Sequence, residues 1–226
     1  MGIAYNPGVV SDGLVLALDA GNPKSYPGSG TTWTDLSGNG YNATLVNGAT
    51  FNNNGLRLDG TNDYAYIPSH NSKLAFPNGS MTLIVWEKVI SYGVYGGIIT
   101  TDTASDQFWK IYRDLGDTFY KFRWGGSQNA FPNFTLNTWN MYAAVKDAST
   151  NLFLYFNGNL ASTYTVQQTI PSQNNPITFG SYRYNDAVAA RYLSNQVIGP
   201  VSIYNRVLSA AEIKQNYDAL RGRFGL

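Results

Sequence analysis

Short runs of alternating apolar and polar residues recur along almost the whole chain, and turn-forming pairs separate them. Asp12-Gly13, Asn39-Gly40, Asn47-Gly48, Asn54-Gly55, Asp59-Gly60, Asn78-Gly79 and Asn157-Gly158 are pairs that reach the positive φ angles of tight hairpins with little strain. Between them the pattern predicts strands at Leu14–Asp19, Ala43–Val46, Gly55–Leu58, Tyr64–Ile67, Met81–Ile90, Gly97–Thr101, Gln107–Tyr112, Thr118–Trp124, Asn140–Lys146, Leu152–Asn157, Leu160–Thr165, Ile177–Ser181 and Val197–Tyr204. Alternation sets Leu56, Leu58, Tyr64 and Tyr66 on one side, with Arg57 and Ala65 on the other. Helical spacing appears only near the end. Ser209 and Glu212 have the spacing of a capping box, and Ile213, Tyr217 and Leu220 follow at steps of four and three. Many short strands and one closing helix predict an all-β sandwich of two antiparallel sheets, of the jelly-roll kind. The expected organisation is a single domain at 13–226 behind an N-terminal arm at 1–12, with no second domain after the helix. The stretch Met1–Val10 reads as an extended segment able to add to a neighbour's sheet edge, and Asn22–Thr32, rich in Pro, Gly and Ser, as a long loop.

Composition narrows the partners. A chain of 226 residues is long enough for one sandwich with a core of its own. Charged residues make up only 13%, about half the usual share. Asn, Thr, Ser, Gly and Tyr must therefore supply most of the polar surface. A net charge of +1 with scattered basic residues argues against nucleic acid and against a polybasic membrane patch. The absence of cysteine removes disulfides, thiol nucleophiles and thiolate metal sites. Met1–Pro7 has neither the basic nor the apolar region of a secretory signal, and Gly2 lacks the Ser or Thr that a myristoylation motif requires. No apolar stretch reaches membrane-spanning length.

Five segments in order carry a family resemblance. They are Asp35-Leu36-Ser37-Gly38-Asn39-Gly40-Tyr41-Asn42-Ala43-Thr44-Leu45, Leu56-Arg57-Leu58-Asp59-Gly60-Thr61-Asn62-Asp63-Tyr64-Ala65-Tyr66-Ile67-Pro68, Met81-Thr82-Leu83-Ile84-Val85-Trp86, Trp139 with Tyr155-Phe156-Asn157-Gly158, and Ile203-Tyr204-Asn205-Arg206-Val207-Leu208-Ser209. Together they resemble the laminin G-like, concanavalin A-like jelly-roll domains. The opening Gly13–Asn22 and the closing Leu220–Gly225 look, more narrowly, like structural proteins of tailed phages, including cyanophages. The resemblance implies a non-catalytic virion protein on the particle surface, decorating capsid or tail through contacts with other virion proteins, as a homo-oligomer. A lectin module recognising host-surface polysaccharide is the alternative it leaves. Many relatives carry an acid before the last strand, where this chain has Gly199-Pro200, which puts a structural calcium in doubt.

Candidate chemistry is sparse. Glycoside hydrolysis uses two carboxylates a few ångströms apart, and the chain has only Glu87 and Glu212, with no acidic run on one strand. Glu87 reads as an outward residue of an alternating strand, and His70, the only histidine, as loop surface. Gly30-Thr31-Thr32-Trp33 imitates the second half of a sialidase Asp box, without its serine and aspartate. Asp19, Asp35, Asp59 and Asp63 offer oxygens to calcium, but Asp59–Asp63 reads first as a turn in which Asp59 and Asn62 bond the backbone. No metal site or cofactor is assigned. Trp86 and Trp139 are expected in the core and Trp33 as a loop plug, leaving Tyr92, Tyr95, Tyr112, Trp124, Tyr182, Arg183 and Tyr184 as contact candidates. Trp124 and the cluster Tyr182, Arg183, Tyr184 and Asp186 are the expected glycan or partner-binding residues, because they combine ring faces, charge and hydrogen-bonding groups.

Overall fold

The computed structural model describes residues 8–52, 54–68, 73–76, 79–93, 95–101, 107–171, 175–181 and 193–226. Its strands are β1 (Leu14–Leu18), β2 (Thr32–Trp33), β3 (Ala43–Val46), β4 (Thr50–Asn52), β5 (Gly55–Asp59), β6 (Tyr64–Ile67), β7 (Met81–Val89), β8 (Gly96–Thr101), β9 (Trp109–Arg113), β10 (Phe119–Trp124), β11 (Ser127–Asn133), β12 (Trp139–Lys146), β13 (Asn151–Phe156), β14 (Asn159–Thr165), β15 (Ile177–Phe179) and β16 (Asn195–Tyr204). One helix, α1 (Ala210–Leu220), follows and runs into a 3₁₀ turn at Arg221–Phe224.

These strands form two antiparallel sheets of eight. The first runs β14-β13-β12-β7-β16-β5-β4, with β1 also paired to β16, and the second runs β11-β10-β9-β8-β15-β6-β3-β2. The β13–β14 hairpin shows the local cause: Asn157 (φ 50) and Gly158 (φ 78) supply the two positive φ angles of a two-residue turn. The inner faces of the two sheets enclose one apolar core that includes Leu56, Leu83, Ile111, Phe122 and Ile203. Three strands, β2, β4 and β11, were not expected. Trp33 is no loop plug but a core side chain, edge-on to Phe179 at 5.4 Å.

The first sheet is covered on both faces. A second apolar cluster, with Ile84, Trp86, Met141, Tyr204 and Ile213, lies on its outer side beneath α1 and the 3₁₀ turn. Trp86 stacks on Tyr217 at 5.5 Å and on Phe224 at 4.5 Å, while Trp139 meets Phe224 at 4.4 Å. Gly199 is part of this arrangement, since a Cβ there would come within 2.8 Å of Trp86 Cβ and 3.0 Å of Trp139. Gly199 thus makes room for the two indole rings. The part of the expected arm that is described is pinned to this same chain: Val10 N–H donates to Asn216 Oδ1, Tyr204 O–H donates to Val10 O, and Gln215 Nε2 donates to Gly8 O.

The helix begins on the expected capping box. Ser209 Oγ accepts from Glu212 N–H, and Glu212 Oε2 accepts from Ser209 N–H. Arg206 forks onto the same carboxylate at 2.6 and 3.2 Å, and with the Ser209 donors it holds the Glu212 carboxyl down to about 2. Ser209→Ala is expected to cost about 1 kcal/mol in urea unfolding. A carboxyl depressed in the fold contributes stability above its ordinary range, so the contribution of Glu212 is lost as pH falls from about 4.5 towards 2.

Candidate functional site

The sequence-predicted contact residues divide. Trp124 is a correction: it faces inward on β10, fully enclosed in the core, with Nε1 donating to Gln167 O at 3.0 Å and the Lys146 ammonium 5.3 Å from its ring. Parity explains this, because Tyr120 and Phe122, two and four residues back, also point into the core. Tyr182, Arg183, Tyr184 and Asp186, like His70, lie outside the described residues. Tyr112 is on the outer side of β9 but buried, 4.9 Å from the Lys110 ammonium.

All four aspartates weighed for calcium are engaged by backbone donors. Asp35 accepts from the N–H groups of Ala17, Ser37 and Tyr41, and Asp63 from those of Gly48 and Asp59. Asp59 accepts from Thr61 and Asn62 N–H, which lowers its pKa and gives the expected turn. Asp19 accepts from Gly21 N–H, and Arg223 Nη1 donates to both of its oxygens at 2.8 Å. Among the described residues no group of three or more His, Cys, Asp or Glu side chains is placed to hold a metal ion.

The outer face of the second sheet is buried along its centre and open at its β2–β3–β6 end. Its cross-strand register forms one row through all eight strands: Thr32, Thr44, Tyr66, Thr178, Thr100, Lys110, Arg123 and Gln128. Every member bears a hydrogen-bonding group. The central members are buried and engaged within the chain, with Thr100 and Thr178 sharing a bond of 2.6 Å. The end at β2, β3 and β6 is open. There Tyr64 and Tyr66 are half-buried side by side, ring centroids 6.1 Å apart, while Ala65 and Ile67 fill the core. The expected orientation of β6 is therefore reversed: the tyrosines face out and Ala65 faces in, because β6 packs Ala65 and Ile67 against the first sheet.

A second polar group lies between the sheets. Glu87 is completely enclosed, not outward as alternation suggested. The Tyr120 hydroxyl stands 3.3 Å from both Glu87 Oε1 and Gln196 Oε1, and Gln196 Nε2 donates to Gly97 O. The Tyr120 hydroxyl is the donor facing both oxygens, and its single hydrogen serves one of them at a time. Burial pushes the Glu87 carboxyl well up, outweighing the opposing pull of Tyr120 and Arg113. Tyr120 and Tyr142 beside it are pushed up by the same burial.

Two facing antiparallel sheets with a polar outer row and a capped closing helix define a lectin-type jelly roll. A family model described as the Concanavalin A-like lectin/glucanases superfamily, of laminin G type, matches residues 59–214, and the chain belongs to that family. Among solved structures it is similar to the Trypanosoma rangeli sialidase in complex with 2,3-difluorosialic acid (TM-score 0.71, 18% identity, 96% of this chain and 34% of that one). It is also similar to the binding domain of botulinum neurotoxin serotype D (TM-score 0.68, 14% identity, 92% and 52%). A third is the botulinum neurotoxin DC binding domain in complex with rat synaptotagmin II (TM-score 0.70, 17% identity, 93% and 52%). The chain thus spans about a third of the sialidase and about half of the toxin domains, and at these identities the likeness is one of fold. No curated protein matches the sequence.

Proposed function

We propose that the domain is a non-catalytic binding module whose partner is a saccharide held at the open β2–β3–β6 end of the outer face of the second sheet. The outward Tyr64 and Tyr66 pair at the open end of the polar row carries this reading. Ring faces stack on the apolar faces of pyranoses, and the flanking Thr32 and Thr44 hydroxyls lie in register to meet their hydroxyls. The three strands of that open end, spaced by about 4.8 Å, span roughly 10 Å, a length that suits one or two sugar rings. Support for a role without catalysis comes from the acids, since Glu87 is enclosed and Glu212 is consumed by the helix cap. The similar structures include toxin binding domains, which supports a binding role for the fold.

A glycan array with the whole chain, followed by titration of the best binder, tests this. Tyr66→Ala and Tyr64→Ala are expected to weaken binding about tenfold each with little change in melting temperature. Binding that survives both substitutions would place the ligand elsewhere. An array with no saccharide bound, together with retention of the chain on phage particles through capsid or tail proteins, would favour instead the decoration role that the end segments of the sequence imply.

A further inference from the structure

The paths of the two sheets end on four strands, and three of these are guarded against further pairing. β2 has two residues, β4 has three, and β11 carries Pro132. β14 is the exception. It runs for seven residues, Asn159–Thr165, without a proline or a charged side chain, and its only irregularity is the extra residue Ala161 near its start.

The ladder fixes which of its peptide groups are open. Val166 N–H donates to Thr150 O, so the peptide groups of Val166 turn towards β13. Along an antiparallel strand that direction alternates. The register Leu152↔Tyr164 therefore turns Tyr164 to β13, while Phe153↔Thr163 and Asn151↔Thr165 turn the peptide groups of Thr163 and Thr165 away from it. Among the described residues no strand meets them, and both threonine side chains are exposed. The strand is also held in place from below, because the Tyr164 hydroxyl donates to Ala130 O on β11 at 3.2 Å.

We propose that β14 pairs antiparallel with β14 of a second copy, joining the first sheets of two domains into one continuous sheet. Such an edge is complementary to itself. With Tyr164 of the two copies opposite each other, Thr163 of one lies opposite Thr165 of the other, and each such pair exchanges two backbone bonds, about four along the seam. No charges of like sign meet, threonine faces threonine, and a two-fold axis satisfies both edges with one surface. Leu160, 55% exposed on the same edge, adds apolar surface beside the seam. So short a seam makes a reversible dimer, with a dissociation constant on the order of micromolar. The Tyr164–Ala130 bond sets β14 and β11 on one flank, and the strand order sets β2, β3 and β6 at the far end of the second sheet. The dimer thus leaves both open ends free. It does not rest on what binds there.

Sedimentation equilibrium of the whole chain between about 1 and 300 µM tests the proposal, and a monomer–dimer equilibrium is expected. Thr163→Pro deletes an outward N–H without touching the bonds to β13, and the pair Thr163→Lys with Thr165→Lys sets like charges against each other across the seam. Each is expected to weaken dimerisation at least about tenfold, with the melting temperature at about 1 µM unchanged. Asn52→Lys on the β4 edge should leave the dimer as it is. A chain that stays monomeric throughout, a dimer that survives both β14 variants, or one that Asn52→Lys dissociates would each overturn the proposal. Should Thr163→Pro fail to fold, the double lysine variant still decides. A glycan array with no saccharide bound leaves these outcomes untouched.

Discussion

Glu87→Gln is expected to raise stability at pH 7 and to remove the loss of stability that the parent shows as pH rises above 4.5. The sign follows from burial. In the unfolded chain Glu87 ionises near 4.5, whereas in the fold its carboxyl is pushed well above that. Between the two values the folded state binds one proton more than the unfolded one. Stability from this group is therefore complete below about pH 4.5 and falls by up to about 1.4 kcal/mol per pH unit until the folded value is reached. Glutamine keeps the shape, donates from its amide to Tyr120, and has nothing to titrate. Glu87→Ala should be less stable by about 2–3 kcal/mol at pH 4.5, because it leaves a cavity and removes one partner of the Tyr120 hydroxyl, and the gap narrows as the parent loses stability at higher pH. Urea unfolding from pH 4 to 9 reads all three proteins. A parent whose stability is flat or rising from pH 5 to 8, with Glu87→Gln destabilised, would mean that Glu87 is ionised and paired with Arg113. Glu212 does not confuse the reading, because its contribution changes only below about 4.5.

The misplacement of Glu87 on β7 has a cause in the sequence. Met81 to Trp86 is apolar at every position but Thr82. A strand with one wet face alternates, and one covered on both faces does not. The run therefore signals that β7 lies between the intersheet core and the helix, with Trp86 on the helix side and Val85 and Glu87 on the core side. Read so, Glu87 becomes visible as an interior acid. Arg113 was legible in the same way, from its parity with Trp109 and Ile111 rather than from its own type. The hairpins, the capping box and the two-sheet class were plain because local chemistry sets them: Asn157-Gly158 permits one turn and Ser209 with Glu212 one cap. Edge strands were hidden. Ser127–Asn133 contains Pro132 and few β-branched residues, which an edge tolerates and a central strand does not. The outer row of the second sheet could not be read at all, since it exists only once the register of eight strands is known.

Trp124→Ala is expected to destabilise the domain by about 3–5 kcal/mol, and so to abolish any ligand binding by unfolding rather than by removing a contact. The indole is wholly enclosed. Its loss opens a large cavity between the sheets and leaves Gln167 O without the Nε1 donor. The damage extends to Lys146, whose fully buried ammonium lies over the ring and donates to the carbonyls of Asp147, Ser149 and Gln168. Burial already holds the Lys146 pKa down, so removing the ring's negative face makes the charge there harder to keep. Trp124→Phe, which retains most of the volume and a ring face but not the donor, should lose about 1–2 kcal/mol. Urea unfolding at equal m separates the outcomes. A Trp124→Ala protein that loses less than about 1 kcal/mol, yet no longer binds a saccharide, would return Trp124 to the ligand surface. With the expected loss, the aromatic contact for a sugar falls to the tyrosines that face out on the second sheet, Tyr64 and Tyr66.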